Sequence, residues 1–310
     1  MSRIAVIHNP NAKENAKDPH RAQKLAKILG DKGMVYETRV PEEVGPVLDR
    51  LRQEGVDVLA ICGGDGTYQR VLTDVIKAWG TDDLPPFFLL KGGSMNTNRY
   101  SLGAKICAED SIRMLMHKAD AGSLEQEEVH LLDVNGERYG FLFGFGAVIR
   151  FLEDYYSSNA SGPVRAADTL YKVISGIIMR TEFLKNLTAP VVARTVVDEE
   201  NLDERKWTMV LAGTLEYIGL GFKPLSRARQ EPGRFHLWAS GLTPARILAQ
   251  IHRMFKGQEL NGEEHVERVA QRSVFEPVEE DHIAYTLDGE LYKAPSIELS
   301  YGPRIVLVRE

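Results

Sequence analysis

The stretch GGDGT, Gly63 to Thr67, joins the apolar run VDVLAIC to a segment with helical spacing, and a second glycine cluster, GGSMNTNRYSLG from Gly92 to Gly103, follows the apolar run PFFLLK. A strand entering glycines and then a helix can aim backbone N–H groups at an anion, because glycine admits close approach and positive φ. Phosphate is the natural occupant. GGDGT is not a Walker A loop, which needs a lysine and a hydroxyl after its last glycine, and it does not fit GxGxxG. The other reading of these residues is a strand-to-helix turn in which Asp65 or Thr67 caps the helix. Farther along, LDGE at Leu287 to Glu290 places a carboxylate, Asp288, in the commonest two-residue hairpin signal. Lys91, just before the second cluster, and Arg99, within it, could as exposed loop cations meet phosphate oxygens. Cys62 and Cys107 lack metal-type spacing and read as reduced, buried thiols.

These residues need elements to hold them. RIAVIH, MVYETRV, VDVLAIC and PFFLLK read as strands, while Arg21 to Leu29, Glu42 to Arg52 and Tyr68 to Trp79 carry helical spacing. Near-continuous apolar strands alternating with helices imply a parallel sheet covered on both faces, which binds ligands at the carboxyl ends of its strands. Both glycine clusters directly follow such strands. From about Val129 the pattern becomes antiparallel. VHLLDVNGERYGFLFGFG reads as a hairpin around Asn135-Gly136, and VVARTVVDEENLDERKWTMVLAG as two strands joined by a charged loop. VRAADTLYKVISGIIMRTEFLKN and TPARILAQIHRMFKG are helix candidates, the second with Thr243 as N-cap and Pro244 at N1. Tyr155, Tyr156 and VISGIIM could line an acyl channel or touch a bilayer, and at helical spacing they equally suit a core.

A chain of 310 residues with 43% apolar and 26% charged residues has room for two cores. With 38 basic and 44 acidic residues the net charge is −6, which argues against a general nucleic-acid binder. The first residues lack the pattern of a signal peptide, and no apolar segment approaches the roughly 20 residues of a bilayer span, so a cytoplasmic protein is expected, with membrane contact only peripheral, at the inner face.

GGDGT, GGSMNTNRYSLG and LDGE, in this order and spacing, resemble the diacylglycerol kinase catalytic-domain superfamily, which includes bacterial lipid kinases and sphingosine kinases; NAD kinases share the first motif. HNPNAK is similar to the family's opening strand and Asn-Pro loop, and FKGQEL to its Lys-Gly segment, so the resemblance covers nearly the whole chain. It implies an α/β fold: an N-terminal doubly wound, Rossmann-like nucleotide-binding domain over 1–125, with 303–310 packing back on it, and a C-terminal β-rich sandwich domain for the substrate over 126–302. It further implies ATP in the cleft between them, Mg²⁺ arriving with the nucleotide, and a lipid hydroxyl at a membrane surface as acceptor. Asn9 would belong to the first phosphate-facing loop, Gly63, Gly64, Asp65, Gly66 and Thr67 to the phosphate cradle, and Gly93, Ser94 and Asn96 to the nucleotide side. Asp288 would be the general base, with Asp65 the second catalytic candidate and Glu290 in support. The chain departs from the family at Arg70, Thr97, His130 and Gly146, where acidic residues are expected, so no metal-ligating residue is assigned. A nucleotide-binding pseudokinase and an NAD kinase-like enzyme are the alternatives. The lipid and the oligomeric state, a homodimer included, stay open.

Overall fold

The computed structural model describes residues 3–93, 96–156, 189–218 and 222–310. Two compact units emerge, one of Met1–Leu131 with Pro303–Glu310 and one of Leu132–Gly302.

In the first unit β1 (Ile4–His8), β2 (Gly33–Glu37), β3 (Val58–Gly63) and β4 (Phe87–Lys91) form a parallel sheet in the order β2-β1-β3-β4. Every residue of β1 and β3 is buried, as a sheet covered on both faces demands. Between the strands run α1 (Lys13–Ala16), α2 (Arg21–Leu29), α3 (Val44–Glu54) and α4 (Asp65–Trp79), followed by α5 (Thr97–Ser101) and α6 (Ala108–Asp120). Leu25 and Leu29 of α2 and Ile112 and Leu115 of α6 share a core with Ile4, Val6, Val58 and Phe88, while α3 packs on α4. The doubly wound expectation is met. Because the chain leaves β1 toward β2 and later returns to β3 on its other side, the strand order reverses between β1 and β3, and a crevice opens at their carboxyl ends.

α4 begins at Asp65, three residues earlier than its apolar spacing indicated. Asp65, Gly66 and Thr67 therefore form the first helical turn, and only Gly64 lies between strand and helix.

The second unit holds a six-stranded antiparallel sheet in the order β12-β11-β10-β7-β14-β15, formed by β7 (Leu142–Gly146), β10 (Met209–Gly213), β11 (Phe235–Ser240), β12 (His265–Ala270), β14 (Ile283–Leu287) and β15 (Glu290–Ala294). A second sheet contains β8 (Val191–Val197), β9 (Glu200–Trp207), β13 (Arg272–Pro277) and the first half of β16 (Ile297–Val308). Phe143, Phe145 and Val210 of the first sheet pack in one core with Ala193, Phe275 and Leu299 of the second, which makes the unit a sandwich. β5 (Gln126–Val134) and β6 (Arg138–Gly140) turn at Asn135 and Gly136, with φ of 59° and 66°, as the Asn-Gly signal predicts.

The charged segment read as a loop is instead strand β9. It lies at the edge of its sheet, where Leu202 and Trp207 point inward and the charged residues outward, and the turn from β8 shrinks to Asp198-Glu199. α7 (Ala147–Tyr156) follows β7. The candidate helix after Thr243 divides at Gln250 into α8 (Pro244–Ala249) and α9 (Ile251–Phe255), and Thr243 makes no capping bond. The helix candidate containing VISGIIM lies outside the described residues. Among those described, no helix is long and apolar enough to cross a membrane.

Candidate functional site

Two strand ends supply the site in the first unit. Beyond β1, the Asn9 side chain accepts the N–H of Asn11 (2.9 Å) and donates from Nδ2 to Thr67 Oγ1 (2.9 Å). Thr67 accepts from Asn9, so its own hydroxyl proton is left to point elsewhere. Beyond β3, α4 starts with amides that have no intrahelical partner, together with the positive end of the helix dipole. These amides stand at the switch point of the sheet.

The glycines act otherwise than expected. None of Gly63, Gly64 and Gly66 has positive φ, and the close neighbours of Gly63 and Gly64 are the protein's own atoms. A Cβ on Gly93 would lie 2.4 Å from Gly64 Cα, one on Gly63 2.4 Å from Thr67 Cβ, and one on Gly92 2.6 Å from the Asn15 amide. The two glycine clusters are thus pressed against each other. Gly92 N–H donates to the Gly63 carbonyl (2.8 Å), and the Gly92 carbonyl accepts the N–H of Glu14 (2.8 Å) and Asn15 (3.2 Å). Asn15, which the sequence did not single out, is buried, and its Nδ2 donates to the carbonyls of Asn9 (2.7 Å) and Cys62 (3.0 Å). Its signal was absent because α1 is too short for periodicity.

Asn96 takes a left-handed φ of 51° and closes a loop on Gly93, accepting its N–H (3.1 Å) and donating to its carbonyl (2.7 Å). Ser94 lies outside the described residues. Asp65 caps a helix that is not its own: its carboxylate accepts the N–H of Thr97 (2.8 Å) and of Asn98 (3.0 Å), the first residues of α5. Asp65 as a residue keeps some exposed surface, yet its carboxyl group is enclosed, and burial pushes it up to about 6 against the pull of these two amides and of Arg99. Asn9, Gly63 to Thr67, Gly93 and Asn96 are therefore one connected network.

The expected cations are placed differently. Arg99 is not an exposed loop residue but is buried, paired with the Glu310 carboxylate and bonded to the Ile106 carbonyl. Lys91 ends β4 half-buried. Cys62 is buried, which raises its thiol to about 12, whereas Cys107 is exposed, contrary to the expectation of two buried thiols.

Asp288 belongs to the second unit. With Gly289 it forms the two-residue turn between β14 and β15, with φ of 50° and 87°. It is buried, its oxygens accept the N–H of Phe141 (2.9 Å) and Leu142 (3.0 Å), and its own N–H donates to the Leu142 carbonyl (2.8 Å). Glu290 pairs with Leu287 across this turn.

At the departures from the family pattern, Arg70 is exposed and His130 half-buried on β5, while Thr97 is buried with its N–H on Asp65. Gly146 has φ of 78°, and a Cβ there would lie 2.6 Å from the Thr208 carbonyl, so a side chain cannot stand at that point. Among the described residues no group of three or more His, Cys, Asp or Glu could hold a metal ion.

Residues 3–124 match the model of the diacylglycerol kinase catalytic domain. No curated protein matches the chain. Among solved structures, a candidate diacylglycerol kinase from Bacillus anthracis str. Sterne is similar with a TM-score of 0.74 at 16% identity, over 100% of this chain and 97% of that one. A diacylglycerol kinase from the same strain gives a TM-score of 0.65 at 14% identity, again over 100% and 97%.

Proposed function

We propose that the chain is an ATP-dependent lipid kinase that passes the γ-phosphate to a hydroxyl of a diacylglycerol-like or sphingoid lipid at a membrane surface, a reading supported by the match of residues 3–124 to the diacylglycerol kinase catalytic domain. The observation carrying this reading is the amino end of α4 at the sheet's switch point, fixed from both sides by Asn9 and by the Gly93 loop.

Bound ATP supplies the transferable phosphoryl group. Toward it, the first amides of α4 offer preorganised donors and the Thr67 hydroxyl, oriented by Asn9, a further one, at no reorganisation cost during reaction. The stacked backbones of Gly64 and Gly93 leave no room for water between them. Asp288 is the proposed base. The backbone N–H groups of Phe141 and Leu142 hold its carboxylate in one orientation, as a base that takes the hydroxyl proton of the lipid requires. Among the described residues no group of three or more His, Cys, Asp or Glu stands ready for a metal, so in this proposal Mg²⁺ comes with the nucleotide and no step is routed through it.

A second reading, a nucleotide-binding protein without turnover, is favoured by the engagement of both motif aspartates with backbone amides. Labelled ATP incubated with the protein and a fractionated lipid extract tests the two. A labelled lipid is expected; ATP binding with no transfer to any fraction would leave the second reading standing.

A further inference from the structure

Arg99 is among the most completely buried large side chains of the chain, at 2% exposure. Both terminal nitrogens of its guanidinium donate to the Ile106 carbonyl (3.3 Å each), and one pairs with the Glu310 carboxylate. That carboxylate also accepts Ser111 Oγ (2.6 Å) and the N–H groups of Lys105 (2.7 Å) and Ile106 (3.3 Å), so it sits in a socket built wholly of donors. A small cavity lined by Phe88, Leu102, Ala104, Arg99 and Glu310 opens beside the pair.

The socket lies at one end of a short mechanical chain. Arg99 is on α5, whose first amides are held by Asp65 in the first turn of α4, and Asn96, immediately before α5, closes the loop that seats Gly93 on Gly64. That loop is tied at Gly92 to Gly63, Glu14 and Asn15, and it runs from β4 into α5. The last residues of the chain reach both: Leu307 of β16 is in register with Phe87 of β4, and Glu310 takes hold of Arg99. A five-residue helix has too few internal bonds to hold itself, so its place is set by what grips it, Asp65 at its first amides and Glu310 at Arg99.

We propose that Glu310, acting through Arg99, is a positioning residue for the nucleotide-phosphate site, holding α5 so that the Gly93 loop and the amino end of α4 keep their register. The inference rests on the reading of that site as a nucleotide site. Without Glu310, Arg99 is a buried cation lacking its counter-charge, and α5 has to move for the guanidinium to reach water.

Titration calorimetry with a non-hydrolysable ATP analogue, well below the melting temperature, tests this. Glu310→Ala removes one acetate's worth of side chain. The Kd is expected to rise about tenfold, and millimolar acetate should return it to near the wild-type value while the same concentration of chloride does not. Arg99→Ala with Glu310→Ala should bind no more weakly than Arg99→Ala alone, because the two side chains act through one contact, and acetate should not rescue it. If Glu310→Ala fails to fold, Glu310→Gln replaces it, with a smaller rise in Kd expected. Wild-type affinity in a folded Glu310 variant, or a loss that acetate leaves unchanged, overturns the inference alone. A wild-type protein that does not bind the analogue overturns the nucleotide reading and this inference with it.

Discussion

Asp65 and Asp288 belong to different units and stand in opposite backbone settings, yet each carboxylate receives two consecutive backbone N–H groups from a neighbouring segment, Thr97 and Asn98 in one case and Phe141 and Leu142 in the other. Asp65 has helical geometry and leans out of its own helix to cap the next. Asp288 is forced to a left-handed φ by a two-residue turn, and its own N–H is returned to the strand it grips. An acidic residue in such a motif can thus be an anchor first. What separates the two is the task left over in the proposed reaction: Asp65 holds α5 to α4 beside the proposed phosphate site, whereas Asp288 is fixed at the tip of a hairpin, where a rigid carboxylate would serve as the proposed base.

The strongest way to break the comparison is Asp288→Asn. If Asp288 is the base, turnover falls by about 10² to 10⁴. The amide cannot be the neutral control that a simple turn residue would permit, since one of the Phe141 and Leu142 N–H groups would then face an NH₂, costing about 1–3 kcal/mol. Both effects are expected, and turnover must be measured where the variant is still folded. Wild-type turnover with lowered stability would make Asp288 an anchor only, like Asp65.

Gly93→Val comes next. Its Cβ would be 2.4 Å from Gly64 Cα, where neither backbone can yield, so overpacking of about 1–3 kcal/mol and loss of ATP affinity are expected together. Calorimetry and thermal melting check this. An ATP affinity that survives would mean that the Gly64–Gly93 seat does not shape the phosphate site.

Asp65→Asn should be milder and dependent on pH. With a folded pKa of about 6 against 3.8 when free, Asp65 binds more proton in the folded chain than in the unfolded one between those values. Wild-type stability therefore declines as pH rises through this window, by on the order of 1–3 kcal/mol once the partial exposure of the residue is discounted. The asparagine variant lacks this slope. Its deficit relative to wild type should be widest near pH 4 and narrow toward pH 7, in melting curves taken across the range. Parallel pH profiles would show that Asp65 does not titrate in that interval.

The sequence showed the strands of the first unit clearly, because fully buried parallel strands leave continuous apolar runs such as VLAIC and FFLL. It showed the hairpin at Asp288-Gly289 for an equally local reason. What it hid was tertiary. Gly64 and Gly93 are glycines for the sake of each other, a relation that no window along the chain contains. Arg99 read as a solvated cation because its counter-charge lies 211 positions away. β9 read as a loop because an edge strand needs only Leu202 and Trp207 to be apolar. The site residues were legible as motif members, while the reason for each residue type belonged to its partner.

Glu290→Gln is the smallest change and the one that sharpens the assignment of Asp288. Glu290 stands two residues beyond Asp288, at the start of β15 and opposite Leu287, so it shares the hairpin without sharing the turn. It is half-buried, whereas Asp288 is buried with backbone donors on both oxygens. A base must be held in one orientation, and the two amide donors provide that for Asp288. Removing the charge of Glu290 while keeping its length should therefore change stability by no more than about 0.5 kcal/mol. Turnover should fall by less than the roughly 10²-fold minimum expected for loss of a base. Comparing the two amide variants, with lipid phosphorylation and melting temperature measured on the same preparations, makes the distinction quantitative. Should Glu290→Gln lose as much turnover as Asp288→Asn while melting like wild type, the proton-accepting role would pass to Glu290, and Asp288 would join Asp65 as an anchor of the backbone.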